Sequence, residues 1–383
     1  MNNFTFYNPT RIVFGENTIS ELSVLTRSYQ KIMIIYGAGS IKRNGVYDQV
    51  KDALQGKNVV EFGGILPNPE YDTCMEAAKL AAREDADFLL SVGGGSVLDA
   101  TKFMAAALKF NGDDPWAILE KGAAVDNAVP LGCVLTLPAT GSEMNMNAVI
   151  SRKSREQKLA FSSEKVMPEF SILDPQTTVT LNKRQTGNGV VDSFVHVMEQ
   201  YLTYPVDTPL QDRQAEAILL TLIEEGPKAL ATPDDIKVRA NIMWASTNAL
   251  NHLIGSGVVQ DWSTHMIGHE ITVRFGLDHA QTLAIVLPAV MQHQKMQKRE
   301  KLIQYGRRIW HLSADDTRVA DQAISRTAQF FESMGLPTRL QDYNINVDDS
   351  LSIGKVIEDR NGKIGERGDM GAGEIEAILK LAK

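Results

Sequence analysis

The first half of the chain alternates short apolar runs with longer segments whose apolar residues recur at helical spacing. The strand-like runs are KIMII (31–35), VVEF (59–62), FLLSV (88–92) and GCVLTL (132–137). Helix-like segments lie between these runs, at 71–85 and 96–110. Strands and helices that alternate in this way form a parallel sheet covered by helices on both faces. The pattern therefore predicts an α/β domain built on a parallel sheet.

The pattern changes in the second half of the chain. From about residue 186 onward, apolar residues recur only at helical spacing, as in DRQAEAILLTLIEEGPKAL and VRANIMWASTNALNHLI. No internal repeat, low-complexity tract or long linker separates the two halves. We therefore predict an α/β domain over residues 1–180 and an all-α domain over residues 181–383. A cleft between two such domains is a usual location for a ligand.

Composition and charge narrow the class of protein. The 383 residues are 43% hydrophobic, and this length suits two domains better than one core. The formal net charge of −8 argues against nucleic acid or an anionic membrane as the main partner, since both require a positive surface. The chain has no apolar run of the ~20 residues that span a bilayer and no signal-peptide pattern. With only two cysteines as well, we expect a cytoplasmic protein.

The glycine-rich segment SVGGGSVLDATKF (91–103) is the better of two candidate phosphate sites. Three glycines end an apolar strand, and Ser96 is placed to cap the helix that follows. Glycines let the backbone approach a pyrophosphate, and a helix N-terminus offers free N–H donors and a partial positive charge. A tight turn without a ligand is the alternative. Asp99 lies close enough to contact a ligand, although Asp99 and Lys102 could equally be solvated helix residues.

Two other turns follow predicted strands. YGAGSIK (36–42) resembles a dinucleotide fingerprint, but Lys42 stands where a small third residue is needed, so an ordinary turn is equally acceptable. LPATGSE (137–143) is rich in small and hydroxyl residues. Because parallel strands end at the same edge of a sheet, we expect 37–40, 93–96 and 136–142 to converge there.

Four of the seven histidines belong to one local pattern. Asp192 and His196 are four residues apart, and so are His265 and His269, which places each pair on one face of a helix. His279 follows after a turn that contains glycine. One carboxylate and three imidazoles, from Asp192, His196, His265 and His279, suit Fe²⁺, Zn²⁺, Ni²⁺ or Mn²⁺ better than Ca²⁺ or Mg²⁺. For any one of these histidines alone, a partly buried structural role is the alternative.

Other residues near this pattern have simpler explanations. His269-Glu270 stands at the wrong end of the pair for an HExxH zincin protease. Glu199 is explained by a charged helix face, with hydrogen-bond support of a metal ligand as the alternative. The remaining histidines, His252, His293 and His311, have no such partners in the sequence.

The combined motifs resemble the iron-containing alcohol dehydrogenase family. SVGGGSVLDATK, LPATGSE, GVVDSFVHVMEQY and HMIGHEITVRFGLDHAQTLAIVLP carry the resemblance, which extends over essentially the whole chain. GGILPNPEYDTCMEA and GLDHAQTLAIVLPA are similar to the branch of NADPH-dependent aldehyde reductases and butanol dehydrogenases. The resemblance implies an α/β N-terminal dinucleotide-binding domain and an all-α C-terminal metal-binding domain, as in dehydroquinate synthase.

The resemblance also implies roles for individual residues. It gives the metal ligands as Asp192, His196, His265 and His279, and it places His269 near the nicotinamide and outside the ligand set. The positions that match cofactor-lining residues are Asn68, Gly94, Gly95, Ser96, Asp99, Thr136, Thr140, Lys158 and Thr177. His269 is a candidate catalytic residue, because an imidazole with a pKa near ~6.5 suits proton delivery to a product oxygen. Its alternative is a histidine that only fills space.

The implied reaction is hydride transfer between NADP(H) and a primary alcohol or aldehyde, with one divalent metal. We expect Fe²⁺ or Zn²⁺, with Ni²⁺ or Mn²⁺ as alternatives, a small alcohol or aldehyde as substrate, and a homodimer. A lyase of the dehydroquinate synthase type is the first rival, but it should show lysines and arginines beside the metal motifs, and residues 186–280 do not group them there. Polyol oxidation of the glycerol dehydrogenase type is a second rival. A non-catalytic metal or nucleotide sensor is a third, and no effector module supports it.

In the family that the chain resembles, the turn after the strand at 31–35 is the position that decides the cofactor. An acidic residue there would accept the ribose hydroxyls of NAD(H) and repel the 2′-phosphate of NADP(H). Here the turn is Gly37, Ala38, Gly39 and Ser40, with Lys42 beyond it, so it offers donors and no acid. The turn therefore favours NADP(H) over NAD(H). Glu61, which ends the next strand about 20 residues on, is the argument for NAD(H).

Overall fold

A computed structural model describes all 383 residues. It contains eight strands, β1 to β8 in chain order: Arg11–Phe14, Lys31–Tyr36, Asn58–Phe62, Phe88–Gly94, Leu131–Leu137, Asn147–Arg152, Gln157–Ser162 and Phe170–Leu173. The first five helices, α1 to α5, are Leu22–Leu25, Val46–Ala53, Tyr71–Arg83, Gly95–Ala107 and Ala117–Glu120. The ten that follow, α6 to α15, are Lys183–Tyr201, Pro209–Ala231, Ile236–Ala249, Ser263–Phe275, His279–His293, Arg299–Arg308, Asp316–Ser333, Val347–Ser350, Ile353–Asn361 and Ala372–Leu381.

Six strands form one parallel sheet in the order β1-β8-β5-β4-β2-β3. The predicted α/β domain with a parallel sheet is confirmed, and so are the four strands and two helices that the pattern indicated there. The structure has four strands in addition to these four. β1 and β8 complete the parallel sheet at one side, and the antiparallel hairpin of β6 and β7 forms a separate two-stranded sheet.

Both faces of the sheet are buried, as the continuous apolar runs required. Successive side chains of a strand point to opposite faces. In β2, Ile32 and Ile34 therefore pack in the cluster that includes Val46 and Val50 of α2. Met33 and Ile35 pack in the other cluster, with α3 and α4. Burial on both faces favours β-branched and large apolar residues at every position of a strand.

The C-terminal half of the chain is helical from Asn182 onward, which confirms the all-α prediction. The helix α6 begins at a capping box, in which the Asn182 side chain accepts from the Gln185 backbone N–H and the Gln185 side chain accepts from the Asn182 backbone N–H. Such reciprocal bonds satisfy two donors that a helix start leaves open. The helix α6 packs against α7 and α10, and α9 packs against α10. No helix combines the length and apolar character needed to cross a bilayer.

Contacts within the chain define two compact units. The first contains Tyr7–Leu181 with Pro233–Thr247, and the second contains Met1–Phe6, Asn182–Thr232 and Asn248–Lys383. Two short segments thus depart from the predicted division into residues 1–180 and 181–383.

Specific contacts account for the two displaced segments. In α8, the Trp244 ring packs against Phe14 of β1 with 5.9 Å between centroids, and Thr247 Oγ1 donates to Glu143 Oε1 at 2.6 Å. At the N-terminus, the Asn2 backbone N–H donates to the Gly257 carbonyl at 2.9 Å. Each segment therefore belongs to the unit with which its side chains and backbone bond, and sequence order alone does not reveal this.

Candidate metal centre and cofactor turns

Three helices of the second unit bring the predicted metal ligands together. Asp192 and His196 lie one turn apart on α6, His265 lies on the first turns of α9, and His279 is the first residue of α10. Asp192, His196 and His265 are buried. Donor atoms of Asp192, His265 and His279 all lie within 4.8 Å of one another.

The distances around Asp192 fit a shared cation. Its Oδ1 lies 3.8 Å from His196 Nε2, 3.9 Å from His265 Nε2 and 3.6 Å from His279 Nε2. These distances are too long for hydrogen bonds. Two donor atoms that each bind one cation at about 2.1 Å in tetrahedral geometry are about 3.4 Å apart. The buried Oδ1 of Asp192 has no hydrogen-bond partner in the chain, which is costly unless a cation binds there. Asp192, His265 and His279 therefore form a candidate site for one divalent metal, and His196, 3.8 Å from the same Asp192 oxygen, stays a predicted fourth ligand.

Two features hold α10 against its neighbours so that His279 faces Asp192. Asp278, the N-cap of α10, accepts hydrogen bonds from Asn188 Nδ2 at 2.8 Å and from Arg184 Nε at 2.7 Å. Both donors lie on α6, and Asn188 is one turn before Asp192. On α9, a Cβ at Gly268 would lie 2.8 Å from Thr282 Oγ1 of α10, so glycine permits the close approach of these two helices.

Glu199 has a supporting role that the sequence offered only as the alternative. Its Oε2 contacts His265 Nδ1, and its Oε1 accepts from the His265 backbone N–H at 3.2 Å. Burial, reinforced by the nearby Asp261 carboxylate, raises the pKa of Glu199 well above its usual range. A carboxylate on the far nitrogen of a ligating imidazole fixes its tautomer and orientation. The sequence signal for this role was the position of Glu199, one turn after His196 on the same face of α6.

His269 lies beside the group formed by Asp192, His265 and His279 and does not belong to it. Its ring centroid is 6.2 Å from that of His265 and 5.1 Å from that of His279. The side chain is partly exposed, whereas His265 is buried. The ring is therefore close enough to serve a molecule bound at the cluster without itself being one of the four donors.

In the first unit, the three candidate turns end neighbouring strands. Tyr36 of β2 pairs with Val92 of β4, and Gly94 of β4 pairs with Leu137 of β5. Because these strands are parallel and adjacent, turns 37–40, 93–96 and 136–142 lie at the same edge of the sheet, as expected. The helix α4 starts there with Gly94 as N-cap and no side-chain cap, so Ser96 is not the cap that the sequence suggested.

The glycine run has a packing explanation of its own. A Cβ at Gly93 would lie 2.6 Å from Val97, and one at Gly95 would lie 2.3 Å from Thr140 Oγ1. Glycine is thus required by close contacts within the chain. The first turn of α4 is left without a side-chain cap, and backbone N–H groups in such a turn can bind phosphate.

Asp99 and Lys102 are buried, so the alternative of solvated helix residues was wrong. Asp99 accepts from Ser142 Oγ at 2.7 Å and from the Val149 backbone N–H at 2.9 Å. Lys102 Nζ donates to the carbonyl oxygens of Ser142, Asn145 and Asn147, at 2.7, 2.8 and 2.9 Å, and to Asn145 Oδ1 at 3.1 Å. Both residues of α4 therefore fasten the turn that follows β5, and the assignment of Asp99 to the cofactor stays a prediction.

We expect Lys102→Met to reduce the free energy of unfolding by about 3–5 kcal/mol, because it leaves the buried oxygens that Lys102 bonds without a donor and removes a cation that acts on buried Asp99. Burial lowers the pKa of the Lys102 ammonium to about 8, and the Asp99 and Glu143 carboxylates oppose this effect. Urea denaturation measures the change. Lys109→Met, at an exposed lysine just after α4, is the control and should stay within about 0.5 kcal/mol of wild type. Equal stability of both variants would contradict this account.

The other predicted cofactor residues differ in their surroundings. Lys158 Nζ on β7 donates to Asn68 Oδ1 at 2.8 Å, so these two predicted positions contact each other. Thr177 Oγ1 is buried and donates to the Leu135 and Asp174 carbonyl oxygens, both at 2.8 Å. Thr136 is buried at the end of β5, and Thr140 Oγ1 accepts from the Ser142 backbone N–H at 3.2 Å. The roles of these residues at the cofactor stay predictions.

Comparison with known protein families gives a match for both the N-terminal and the C-terminal part of the chain. Residues 9–175 match the model of the iron-containing alcohol dehydrogenases, and residues 186–382 match the C-terminal model of the same family. The chain belongs to the iron-containing alcohol dehydrogenase family. It is therefore an oxidoreductase, and the lyase and sensor alternatives are not supported.

Individual relatives in the family are similar over their whole length. The NADPH-dependent aldehyde reductase YqhD of Escherichia coli K12 is 54% identical over 388 residues, with 100% of each chain covered. The crystal structure of E. coli YqhD has a TM-score of 0.98 at 52% identity and covers 100% of this chain and 99% of that one. The NADH-dependent butanol dehydrogenase A of Thermotoga maritima has a TM-score of 0.96 at 33% identity, covering 100% and 99%.

Proposed function

We propose that this member of the family is an NADPH-dependent aldehyde reductase of broad specificity for small aldehydes, which also oxidises the corresponding primary alcohols. The observation that carries the proposal is the group of three imidazole nitrogens 3.6–3.9 Å from one buried carboxylate oxygen of Asp192. Full-length identity of 54% with an NADPH-dependent aldehyde reductase supports the choice of reaction and cofactor. We further propose a homodimer located in the cytoplasm.

The proposed division of labour follows the two compact units. Asp192, His196, His265 and His279 would hold the metal, with Fe²⁺ or Zn²⁺ as the expected ions and Ni²⁺ or Mn²⁺ as alternatives. The turns Gly37–Ser40 and Gly94–Ser96, together with Asn68, Asp99, Thr136, Thr140, Lys158 and Thr177, would line the cofactor. A cation held by these residues would supply polarisation of a carbonyl oxygen, and NADPH held by these turns would supply the hydride for the carbonyl carbon.

The residues of the chain supply position and the proton. The contact of Glu199 with Nδ1 of His265 keeps Nε2 of that ring directed at Asp192. His269 would deliver a proton to the product oxygen during aldehyde reduction and would take it back during alcohol oxidation. The net reaction consumes one hydride and one proton for each aldehyde reduced.

The test is steady-state oxidation of NADPH with a panel of aldehydes, using protein purified without oxygen and analysed for metal. We expect turnover with several small aldehydes and about one metal ion per chain. No oxidation of either NADPH or NADH with any aldehyde would refute the proposal. Preferential oxidation of a vicinal diol would favour polyol oxidation instead.

Glu61, the acid that favours NAD(H), already has several partners. Its Oε2 accepts from Lys42 Nζ at 3.1 Å, its Oε1 lies 3.7 Å from Lys51 Nζ, and Tyr47 also donates to it. Burial acts to raise the pKa of Glu61, but the hydrogen bonds from Tyr47 and Lys42 outweigh it and hold the pKa below the usual value. A carboxylate held by these groups is less able to accept ribose hydroxyls, which supports the proposed preference for NADP(H).

Ala38→Asp is expected to lower the ratio of kcat/KM for NADPH to that for NADH by about 10-fold or more. The new carboxylate would repel the 2′-phosphate and accept the ribose hydroxyls of NADH. Ala38 is preferable to Gly39 for this change, since Gly39 has a φ of +87° and an aspartate there would be strained. Ala124→Asp, in an exposed loop of the same unit, controls for added charge and should leave the ratio unchanged. A wild-type enzyme with equal efficiency for NADH would contradict the proposed preference.

A further inference from the structure

A buried lysine lies behind the proposed metal centre. Lys298 is the N-cap of α11, and its side chain is 2% exposed. Its Nζ donates to Asp261 Oδ2 at 2.9 Å and to the Leu202 carbonyl oxygen at 2.8 Å, and it lies 3.3 Å from Glu366 Oε2. None of these partners is a proposed metal ligand. The ammonium thus joins three segments that are far apart in the sequence.

The contact with Asp261 reaches the helix that carries His265. Asp261 Oδ1 accepts from the Ser263 backbone N–H at 3.1 Å, at the first residue of α9. The Asp261 backbone N–H donates to the Glu199 carbonyl oxygen at 2.8 Å. Asp261 therefore ties the start of α9 to the end of α6, at the level of the glutamate that contacts His265.

The other two contacts reach the end of α6. Leu202 directly follows α6, the helix of Asp192 and His196, and its carbonyl oxygen has lost the helical partner that an interior residue would have. Glu366 Oε2 also accepts from the Tyr204 backbone N–H at 3.0 Å, so Glu366 and Lys298 together hold the chain where it leaves α6. The Lys298 ammonium therefore makes its contacts beside the end of α6 and the start of α9. These two helices together carry three of the four proposed ligands.

We propose that Lys298 is a positioning residue of the metal centre, which sets the relative placement of α6 and α9 and thereby the affinity and geometry of metal binding. This inference rests on the proposed metal site and goes beyond it, because Lys298 contacts none of the ligands. It acts through Asp261, which holds the first turn of α9.

The positive charge of Lys298 is needed because it lies between two buried carboxylates, so an uncharged side chain cannot replace this residue. The carboxylates of Asp261 and Glu366 are both buried and both lie within 3.3 Å of Lys298 Nζ. Removal of the ammonium would leave two neighbouring negative charges in an interior of low polarity, where repulsion between like charges is strong. The segments that carry them would move apart, and the helix ends attached to them would follow. A displacement of a few tenths of an ångström at a ligand is enough to weaken a metal site.

The direct test is Lys298→Met in the full-length protein, with metal affinity as the readout. The metal is removed with a chelator, and the dissociation constant for Zn²⁺ is measured by competition with a chromophoric chelator. We expect Zn²⁺ to bind about 10–100-fold more weakly than to the wild type, the usual cost of losing support behind a ligand. The absorption spectrum of the Co²⁺-substituted protein should also change, because it reports the arrangement of the donor atoms.

Lys301→Met is the matched control. Lys301 lies on the same helix, is 6% exposed, and pairs with Asp212 of α7, which carries no proposed ligand. Its ammonium also lies 4.7 Å from the centroid of the Tyr201 ring at the end of α6. We expect this variant to lose stability without losing metal affinity or changing the Co²⁺ spectrum. Equal losses of affinity in both variants would overturn the proposal, since general loosening would explain them.

Asp261→Asn provides a second test that does not depend on how well Lys298→Met folds. The amide oxygen can still accept from the Ser263 N–H, but one of the two carboxylate charges that Lys298 pairs with is gone, and only Glu366 remains. We expect Zn²⁺ affinity to fall by about 10-fold, and the double variant to bind no more weakly than Lys298→Met alone, because both changes break the same connection. Wild-type affinity and an unchanged Co²⁺ spectrum in the folded variants would overturn the role of Lys298. Failure of the wild-type chain to bind any divalent cation would instead refute the metal site itself.

Discussion

His279→Ala is expected to abolish stoichiometric metal binding and to lower aldehyde reduction by about 10³-fold or more, while NADPH binding stays measurable. The alanine removes one of the four proposed donors, and a metal held there would supply several kcal/mol of charge stabilisation to the reaction. The imidazole of His279 is the closest of the three to Asp192 Oδ1, at 3.6 Å. Without His279, α10 would provide no donor to the metal.

The measurements for this prediction are metal content per chain, aldehyde-dependent NADPH oxidation, and the dissociation constant for NADPH by fluorescence. His196→Ala should behave in the same way, since its Nε2 lies 3.8 Å from the same carboxylate oxygen. His293→Ala is the matched control, because His293 is the last residue of the same helix α10 and belongs to no cluster of proposed ligands. Full activity in a preparation free of metal would refute the role assigned to these residues.

His269→Ala is expected to keep its metal and to lose about 10²–10⁴-fold in turnover, as is typical when a general acid is removed. His269 is one turn beyond His265, about 6 Å along the helix axis. Its ring centroid lies 5.1 Å from that of His279, and its side chain is partly exposed, so a proton could pass between product and solvent there. The competing explanation is a helix histidine that only fills space.

Two readouts separate these explanations. A proton donor contributes to the pH dependence of kcat, so His269→Ala should flatten the limb of the profile that depends on this imidazole, whereas a packing role would change only stability. Wild-type turnover in His269→Ala would exclude the catalytic role. Loss of metal together with activity would show that His269 is a ligand.

Much of the fold follows from periodicity in the sequence. Apolar runs of strand length at 31–35 and 132–137 and the helical spacing of apolar residues after 186 depend only on neighbours along the chain. The strands β1 and β8 are only four residues each, and each was missed because so short a run carries little periodic signal. The hairpin of β6 and β7 was missed for another reason, since it contains polar residues such as Asn147 and Lys158.

The candidate metal ligands could also be chosen from the sequence. The spacing of four residues in Asp192 and His196 places both side chains on one face of a helix, whatever that helix packs against. The same local geometry places His269 one turn from His265. Which of these helices meet, and through which faces, is not a local property. It depends on features such as the close approach at Gly268 and the bonds from α6 to Asp278.

The sequence by itself determined four of the eight strands and the helices between them, the turns at the ends of these strands and the residues able to bind a metal, because these depend on short-range spacing and residue chemistry. Only the tertiary structure decided that Lys102 and Lys298 are buried, since neither lysine differs in its local sequence from one on a surface. It likewise decided that Glu199 supports His265, 66 residues away. A charge enters the interior only where partners from distant segments surround it, and chain packing alone brings those partners together.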